Sequence, residues 1–190
     1  MQENKSIDEL VHVFVSPTRH QSGVVMPIQE HTNAVVHVTD GTESLQSCDG
    51  VVTQNREIIL GVHTQDCAPI CFFDQTKIGV AHVGWPGFTK NLIERMMTLF
   101  DPASLSVFVG PHLHVFEIQR DFCYDAITGY IGDEFLREED GKLLFYFQKA
   151  IASKLPPSTV FDPRSTAHDM TLPSHRHKRK FGHIITTITF

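Results

Sequence analysis

Residues 61–87, GVHTQDCAPICFFDQTKIGVAHVGWPG, decide how this chain folds. Residues 68–73 and 78–83 are near-continuous apolar runs, the pattern of central strands covered on both faces. Asp74-Gln75-Thr76-Lys77 is the polar turn between them, and a glycine corner from Gly84 to Gly87 follows, holding the only tryptophan, Trp85. Cys67 stands at the mouth of the first run and His82 lies inside the second. Neighbouring strands are about 4.8 Å apart, so the two side chains can meet if the register allows. A histidine in an apolar strand needs partners for its ring nitrogens. On this pair alone, core packing accounts for both: Cys67 as a small hydrophobe, His82 bonded to a backbone carbonyl.

Upstream, residues 11–16 and 24–29 read as short strands around the turn PTRHQSG, with Pro27 marking an edge or a bulge. Residues 34–39 form another strand running into an Asp-Gly turn. Residues 50–54 and 58–64 are expected to pair as a hairpin across Asn55-Arg56. Downstream the period changes from two to 3.6, and Phe88, Leu92, Met96 and Leu99 line one helix face, ended at Asp101-Pro102. A strand at 105–109 leads into Gly110-Pro111-His112. Helices are expected over 121–135, weakened by Gly129 and Gly132, and over 143–155, stopped by Pro156-Pro157. Strands at 159–162 and 183–190 close the chain. The expected architecture is α+β, a single domain over residues 1–190, with a mixed central β-sheet and flanking helices.

Composition supports an ordinary globular protein: 190 residues, 41% hydrophobic and 20% charged. A formal net charge of −6 argues against nucleic-acid binding over the whole surface. The N-terminal segment MQENKSIDELVHVFVS is polar and acidic, so neither a secretory signal nor a membrane span is expected. Four irregularly spaced cysteines do not make a disulfide scaffold, and a reducing, cytoplasmic home suits them. Twelve histidines is a high count and hints at metal or acid–base chemistry.

His31 adds a second imidazole to the pair. One thiolate and two imidazoles are a donor set that zinc prefers, and three protein ligands leave the fourth tetrahedral position to water or substrate. The spacing is long and lacks the local signature of a CxxC or HExxH motif. The same residues without metal would make Cys67 a thiolate nucleophile with His82 or His31 as base.

The ordered runs CDGVVTQ (48–54), GVHTQDCAP (61–69), VAHVGWPG (80–87), VGPHLHVFEI (109–118) and LPSHRHKRKFGH (172–183) resemble the laccase-domain, YfiH/FAMIN-like purine nucleoside phosphorylase family, formerly called polyphenol oxidase. The likeness runs from about residue 29 to the C-terminus, and the N-terminal part is short relative to the family. It implies a zinc site of His31, Cys67 and His82. It also implies phosphorolysis of adenosine, inosine, methylthioadenosine and related nucleosides, with adenosine deamination beside it. The implied partners are a purine nucleoside and phosphate, with no nucleic acid and no membrane, for a monomer or weak homodimer.

Departures from the family pattern cluster around the substrate. Pro86 stands where the corner arginine is usual, Gln65 replaces a small residue, and Leu113 to Phe116 replace a cysteine-containing end. The late S-Y-R-R segment reads Ser174-His175-Arg176-His177, and Gly182-His183 stands for glycine-arginine. These losses keep open a degenerate member that binds zinc or a nucleoside without turnover.

Roles follow from chemistry. For deamination, metal-activated water attacks C6 of adenine while an acid shuttles protons, and Asp66 is the candidate acid or an anchor behind the ligands. It equally serves as a turn cap before Cys67. The catalytic set is therefore Cys67, His82 and Asp66. For phosphate, Arg176 offers bidentate geometry with His175 beside it, while Lys178, Arg179 and Lys180 read as a solvated basic loop. His112 lines a pocket or the surface. Trp85 stacks on a base or plugs the core. The His-x-His pairs 112/114 and 175/177 superficially suit copper, but copper oxidases need histidines gathered round a dedicated centre, and zinc fits better.

Overall fold

The structure is a computed structural model that describes residues 6–190; residues 1–5, the start of the polar N-terminal segment, lie outside the described residues. The chain opens with a helical turn, α1 (Ile7–Leu10), and strand β1 (Val11–Ser16), followed by β2 (Val24–Val25), β3 (Val35–Val38), β4 (Gly50–Thr53) and β5 (Ile59–Thr64). The two apolar runs become β6 (Ala68–Phe73) and β7 (Ile78–Val83), with the bounds the sequence indicates. Then come α2 (Trp85–Thr89), α3 (Leu92–Met97), β8 (Ser106–Val109), β9 (Phe116–Ile118) and α4 (Phe122–Ile131). The chain ends with β10 (Leu136–Glu139), β11 (Lys142–Phe145), α5 (Phe147–Lys154), β12 (Val160–Phe161) and β13 (His183–Ile188).

A six-stranded mixed sheet, ordered β12-β8-β6-β7-β4-β3, lies at the centre, as expected of an α+β fold. The period-two alternation of its strands divides the core into two layers. Ile70, Phe72, Ala81, Val83, Val107 and Val109 point to one side, where α3, α4, α5 and the small sheet β10-β11-β9 cover them with Ile93, Met96, Ile127, Phe145 and Phe147. Cys71, Ile78, Val80 and Phe108 point to the other, against Val11, Leu60, Val62 and Ile188 of a four-stranded sheet ordered β1-β13-β5-β2. Phe72 and Ile70 are wholly buried, each worth about 1.5–3 kcal/mol of transfer free energy.

Several local expectations change. β4 and β5 do not form a hairpin: β4 pairs with β3 and β7, β5 with β13 and β2, and the turn at Asn55-Arg56 carries the chain from one sheet to the other. β2 stops at Val25, short of Pro27, whose missing N–H suits no ladder. The helix expected after Gly87 is split in two at Asn91, which adopts the left-handed conformation (φ 63°) that asparagine tolerates. Asp121 caps α4 through the Cys123 amide at 2.9 Å, but Gly132 (φ 73°) ends the helix before residue 135. The helix expected over 143–155 begins only at Phe147, because Leu143, Leu144 and Phe145 belong to β11. β11 and β10 meet at Asp140-Gly141, both at positive φ, the turn that favours two-residue hairpins.

The polarity of these strands prepares a site. The ends of β5 and β7 and the starts of β3, β4, β6 and β13 converge on one edge of the two sheets.

Candidate metal centre and its cavity

At that edge His31, Cys67 and His82 place one ligand atom each, all within 4.8 Å of one another. Cys67 Sγ lies 3.6 Å from His31 Nε2, and the His31 and His82 rings meet edge to face at 4.8 Å between centroids. Tetrahedral zinc with ordinary Zn–S and Zn–N bonds holds its sulfur and nitrogen ligands about 3.6 Å apart, so the donor set and its spacing fit that ion. Among the described residues no other group of three or more donors gathers in this way; His112/His114 and His175/His177 do not join it.

Each ligand is held by a separate local cause. His82 is buried in β7, and its Nδ1 donates to Asp49 Oδ1 at 2.7 Å, which leaves Nε2 as the free nitrogen. Asp49, wholly buried just ahead of β4, uses its other oxygen to accept from the amides of Thr32 at 2.6 Å and Glu30 at 3.2 Å. It thereby fixes the loop on which His31 sits, and His31 itself is in the left-handed region (φ 57°) with its carbonyl accepting from Lys90 Nζ at 3.0 Å. Gly84 supplies the room: a Cβ there would stand 2.6 Å from His31 Cδ2 and 3.0 Å from Cys67 Sγ. The glycine corner is required for close approach, as its φ of −87° is ordinary for any residue.

Electrostatics follow the geometry. Burial alone would raise the Cys67 thiol, but the imidazoles of His82 and His31 hold it down at about 6. Burial would lower His82, yet the Cys67 sulfur and the Asp49 carboxylate hold it up at about 9. Asp49 stays ionised against its own burial through bonds from His82 and Thr32.

The cluster forms part of the lining of a cavity of 420 Å³, within the range of small-molecule sites. Trp85, His175 and Arg176 line it, with an apolar wall of Leu113, Phe116 and Phe147. Trp85 is the first residue of α2 and leans on the exposed Phe122 at 5.7 Å, so it is neither a core plug nor fully free. Arg176 lies over the Phe116 ring at 4.6 Å and donates to the Glu117 carbonyl at 2.9 Å.

Two expected residues stand elsewhere or act differently. His112 is wholly buried outside the cavity lining, where its neighbour Leu113 takes the wall position; its Nδ1 donates to the Gly110 carbonyl at 2.8 Å and its ring packs on Phe147. Asp66 lines the cavity, but its carboxylate accepts from Thr166 Oγ1 and Ser174 Oγ at 2.7 Å and from the Arg176 amide at 2.9 Å. It ties the 166 and 174–176 segments to the strand mouth beside Cys67. Pro86 sits in the first turn of α2, where its missing N–H costs nothing, and is not part of the lining.

Sequence reading missed Asp49, Arg19, Gln29, His63 and His183. Only Asp49 carried a signal, a carboxylate fixed just ahead of an apolar strand inside CDGVVTQ. His183 stood out only as a departure from the family pattern, and it meets His63 through the pairing of β13 with β5, while Arg19 and Gln29 reach the cavity from loops.

A family described as multi-copper polyphenol oxidoreductase laccase matches residues 3–190. The chain belongs to this family. Among curated relatives, this laccase-family chain is 26% identical over 176 residues to a protein of Aquifex aeolicus named purine nucleoside phosphorylase, covering 87% of this chain and 82% of that one. It is 31% identical over 200 residues to a protein of Rickettsia prowazekii with the same name, covering 97% and 83%. Of solved structures, the hypothetical protein YfiH of Bacillus licheniformis shares the laccase-family fold at a TM-score of 0.75 and 21% identity, covering 88% of this chain and 74% of that one. YlmD of Geobacillus stearothermophilus superposes at a TM-score of 0.74 and 22% identity, covering 88% and 73%. No helix among the described residues is long and apolar enough to cross a membrane.

Proposed function

We propose that this chain is a purine nucleoside phosphorylase that holds zinc on His31, Cys67 and His82 and acts on adenosine, inosine or methylthioadenosine, with adenosine deamination as a second use of the same centre. The observation that carries this reading is the open three-ligand cluster in the wall of a nucleoside-sized cavity. The names of the Aquifex and Rickettsia relatives support the reaction class.

When bound, the metal would supply Lewis acidity to a substrate oxygen. The side chains do the rest. Asp49 holds His82 in one tautomer and ring orientation, the usual task of a carboxylate behind a ligating imidazole. Trp85 presents a flat aromatic face to the base, and the Arg176 guanidinium, with His175 beside it, lines the rim as a donor for substrate oxygens. In phosphorolysis a phosphate oxygen bonds to C1′ as the C1′–N9 bond breaks, and the electron pair leaves with the purine. Leu113, Phe116 and Phe147 exclude the water that would otherwise compete for C1′. Asp66 positions the Ser174–Arg176 segment that closes this wall. The four free cysteines support a reducing, cytoplasmic setting, and we take the chain to act as a monomer or weak homodimer.

Metal analysis of the purified protein, followed by chromatography of a nucleoside mixture with and without phosphate, tests the proposal. One equivalent of zinc and phosphate-dependent release of free base and ribose 1-phosphate are expected; absence of zinc together with no turnover overturns it. A second reading rests on the 3.6 Å contact of Cys67 with His31, a geometry that would also serve a metal-free thiol hydrolase. Inactivation by iodoacetamide but not by a chelator would select it.

A further inference from the structure

The cavity has a second polar wall, one arginine and two imidazoles, carried by the four-stranded sheet and the turn after β1. Arg19 follows β1, His63 lies near the end of β5 and His183 opens β13, and all three line the cavity with the metal cluster. Their positions are fixed from behind. Gln29 clips the His63 backbone, its side-chain amide donating to the His63 carbonyl at 2.7 Å and its oxygen accepting from the His63 amide at 3.0 Å. Gln65 donates to the Gly182 carbonyl at 3.0 Å, and a Cβ on Gly182 would strike the Ser16 carbonyl oxygen at 2.5 Å, so His183 enters its strand at a set height. The His63 and His183 rings meet edge to face at 5.4 Å.

Donors in this wall are unspent. Arg19 makes no ion pair or hydrogen bond among the described residues, and His63 Nδ1 and the hydroxyl of Thr64, a residue 3% exposed, are buried atoms without hydrogen-bond partners. The only carboxylate among the described lining residues, Asp66, is already engaged by Thr166, Ser174 and the Arg176 amide. Burial first, and then the neighbouring His183, His82 and Arg19, push His63 down to about 4, so near neutral pH its ring is an uncharged partner and Arg19 supplies the charge of this wall. Arg176, by contrast, is stacked on Phe116 and bonded to the Glu117 carbonyl. An anion with several acceptor oxygens suits the Arg19 wall better than the Arg176 wall.

We infer that Arg19, His63 and His183 form the oxyanion subsite of this cavity and hold inorganic phosphate, leaving Arg176 to the nucleoside side. The inference deepens the phosphorylase reading and rests on it for the fate of the bound phosphate, though not for its binding.

Titration of inorganic phosphate into the full-length protein at low ionic strength, followed by calorimetry or ³¹P line broadening, tests the assignment. Arg19→Gln and His183→Gln are each expected to weaken phosphate by about tenfold or more, the loss typical of a hydrogen bond to a charged group. Arg176→Gln and the loop control Lys180→Gln are expected to stay within about twofold of the parent. Arg19 is exposed, so its variant is expected to fold, and circular dichroism checks both cavity variants. Loss confined to Arg176→Gln, or equal weakening by Lys180→Gln, overturns the subsite, as does a parent protein that does not bind phosphate. Phosphate binding that depends on Arg19 in a protein with no phosphorolysis would keep the subsite and overturn the proposed function instead.

Discussion

Asp49 and His82 are joined by a 2.7 Å hydrogen bond between two buried side chains, and the same carboxylate holds the Thr32 amide beside His31. One residue that touches no substrate therefore sets the orientation of two of the three candidate ligands. Asp49→Asn is expected to weaken metal binding by about 10–100-fold, the usual effect of losing a carboxylate behind a ligating histidine. Competition against a chromophoric chelator measures it, and unchanged affinity would remove Asp49 from this role.

Gly84→Ala places a methyl group against His31 and Cys67 without straining its own backbone. The expected result is a protein with parental circular dichroism that loses most of its metal, because the ligand triangle must open. Stoichiometric metal in this variant would show that the corner has slack the structure does not.

Asp66→Ala frees Thr166, Ser174 and the Arg176 amide at once. Hydrogen bonds to a charged acceptor contribute about 1.5–3 kcal/mol each and do not add fully, so a loss of roughly 2–4 kcal/mol in urea unfolding is expected. Metal content should hold while KM for the nucleoside rises, as the loop carrying His175 and Arg176 loosens. A loss of turnover at unchanged stability and KM would point instead to a proton-transfer role.

Acid sensitivity should trace in part to His112, the more deeply buried of the two histidines held near 4. Burial first, opposed by its bond to Gly110 and by the Asp162 carboxylate, pushes its folded value down to about 4 from the ordinary 6.5. The unfolded chain thus binds a proton that the native state refuses. The stability this neutral histidine carries is complete above about pH 6.5 and is lost as pH falls toward 4, by an amount on the order of 3 kcal/mol. His112→Gln keeps a donor for the Gly110 carbonyl and should flatten the stability curve over that window by about one proton. An unaltered slope would assign the acid effect to other groups.

What the sequence disclosed and what it hid have physical reasons. β1, β6 and β7 were legible to the residue because their apolar runs are bounded by strong turn chemistry at Pro17 and Asp74 to Lys77. Local pattern misleads where tertiary pairing overrides it. Leu144, Phe147 and Ile151 keep helical spacing, yet Leu144 is claimed by the β9 and β10 neighbours of its strand. β4 and β5 look like a hairpin because nothing near Asn55 reveals that they serve different sheets. The three candidate ligands, which the fold brings together, were singled out by donor chemistry and motif order. Asp49, His63 and His183 act through partners far along the chain, His82 for the first and each other for the last two, which is why their roles emerge only from the fold.

β13 runs between β1 and β5 in the interior of its sheet, although it is the last of the described strands in chain order. His31, Cys67 and His82 all emerge from the ribosome long before it does. A nascent chain can therefore assemble its ligand triangle while β1, which joins the sheet only through β13, still waits for a neighbour. Closure depends on contacts between opposite ends of the described chain, the kind of pairing that makes folding slow. The candidate ligand triangle is thus independent of β13 in sequence order, whereas the cavity wall needs His183.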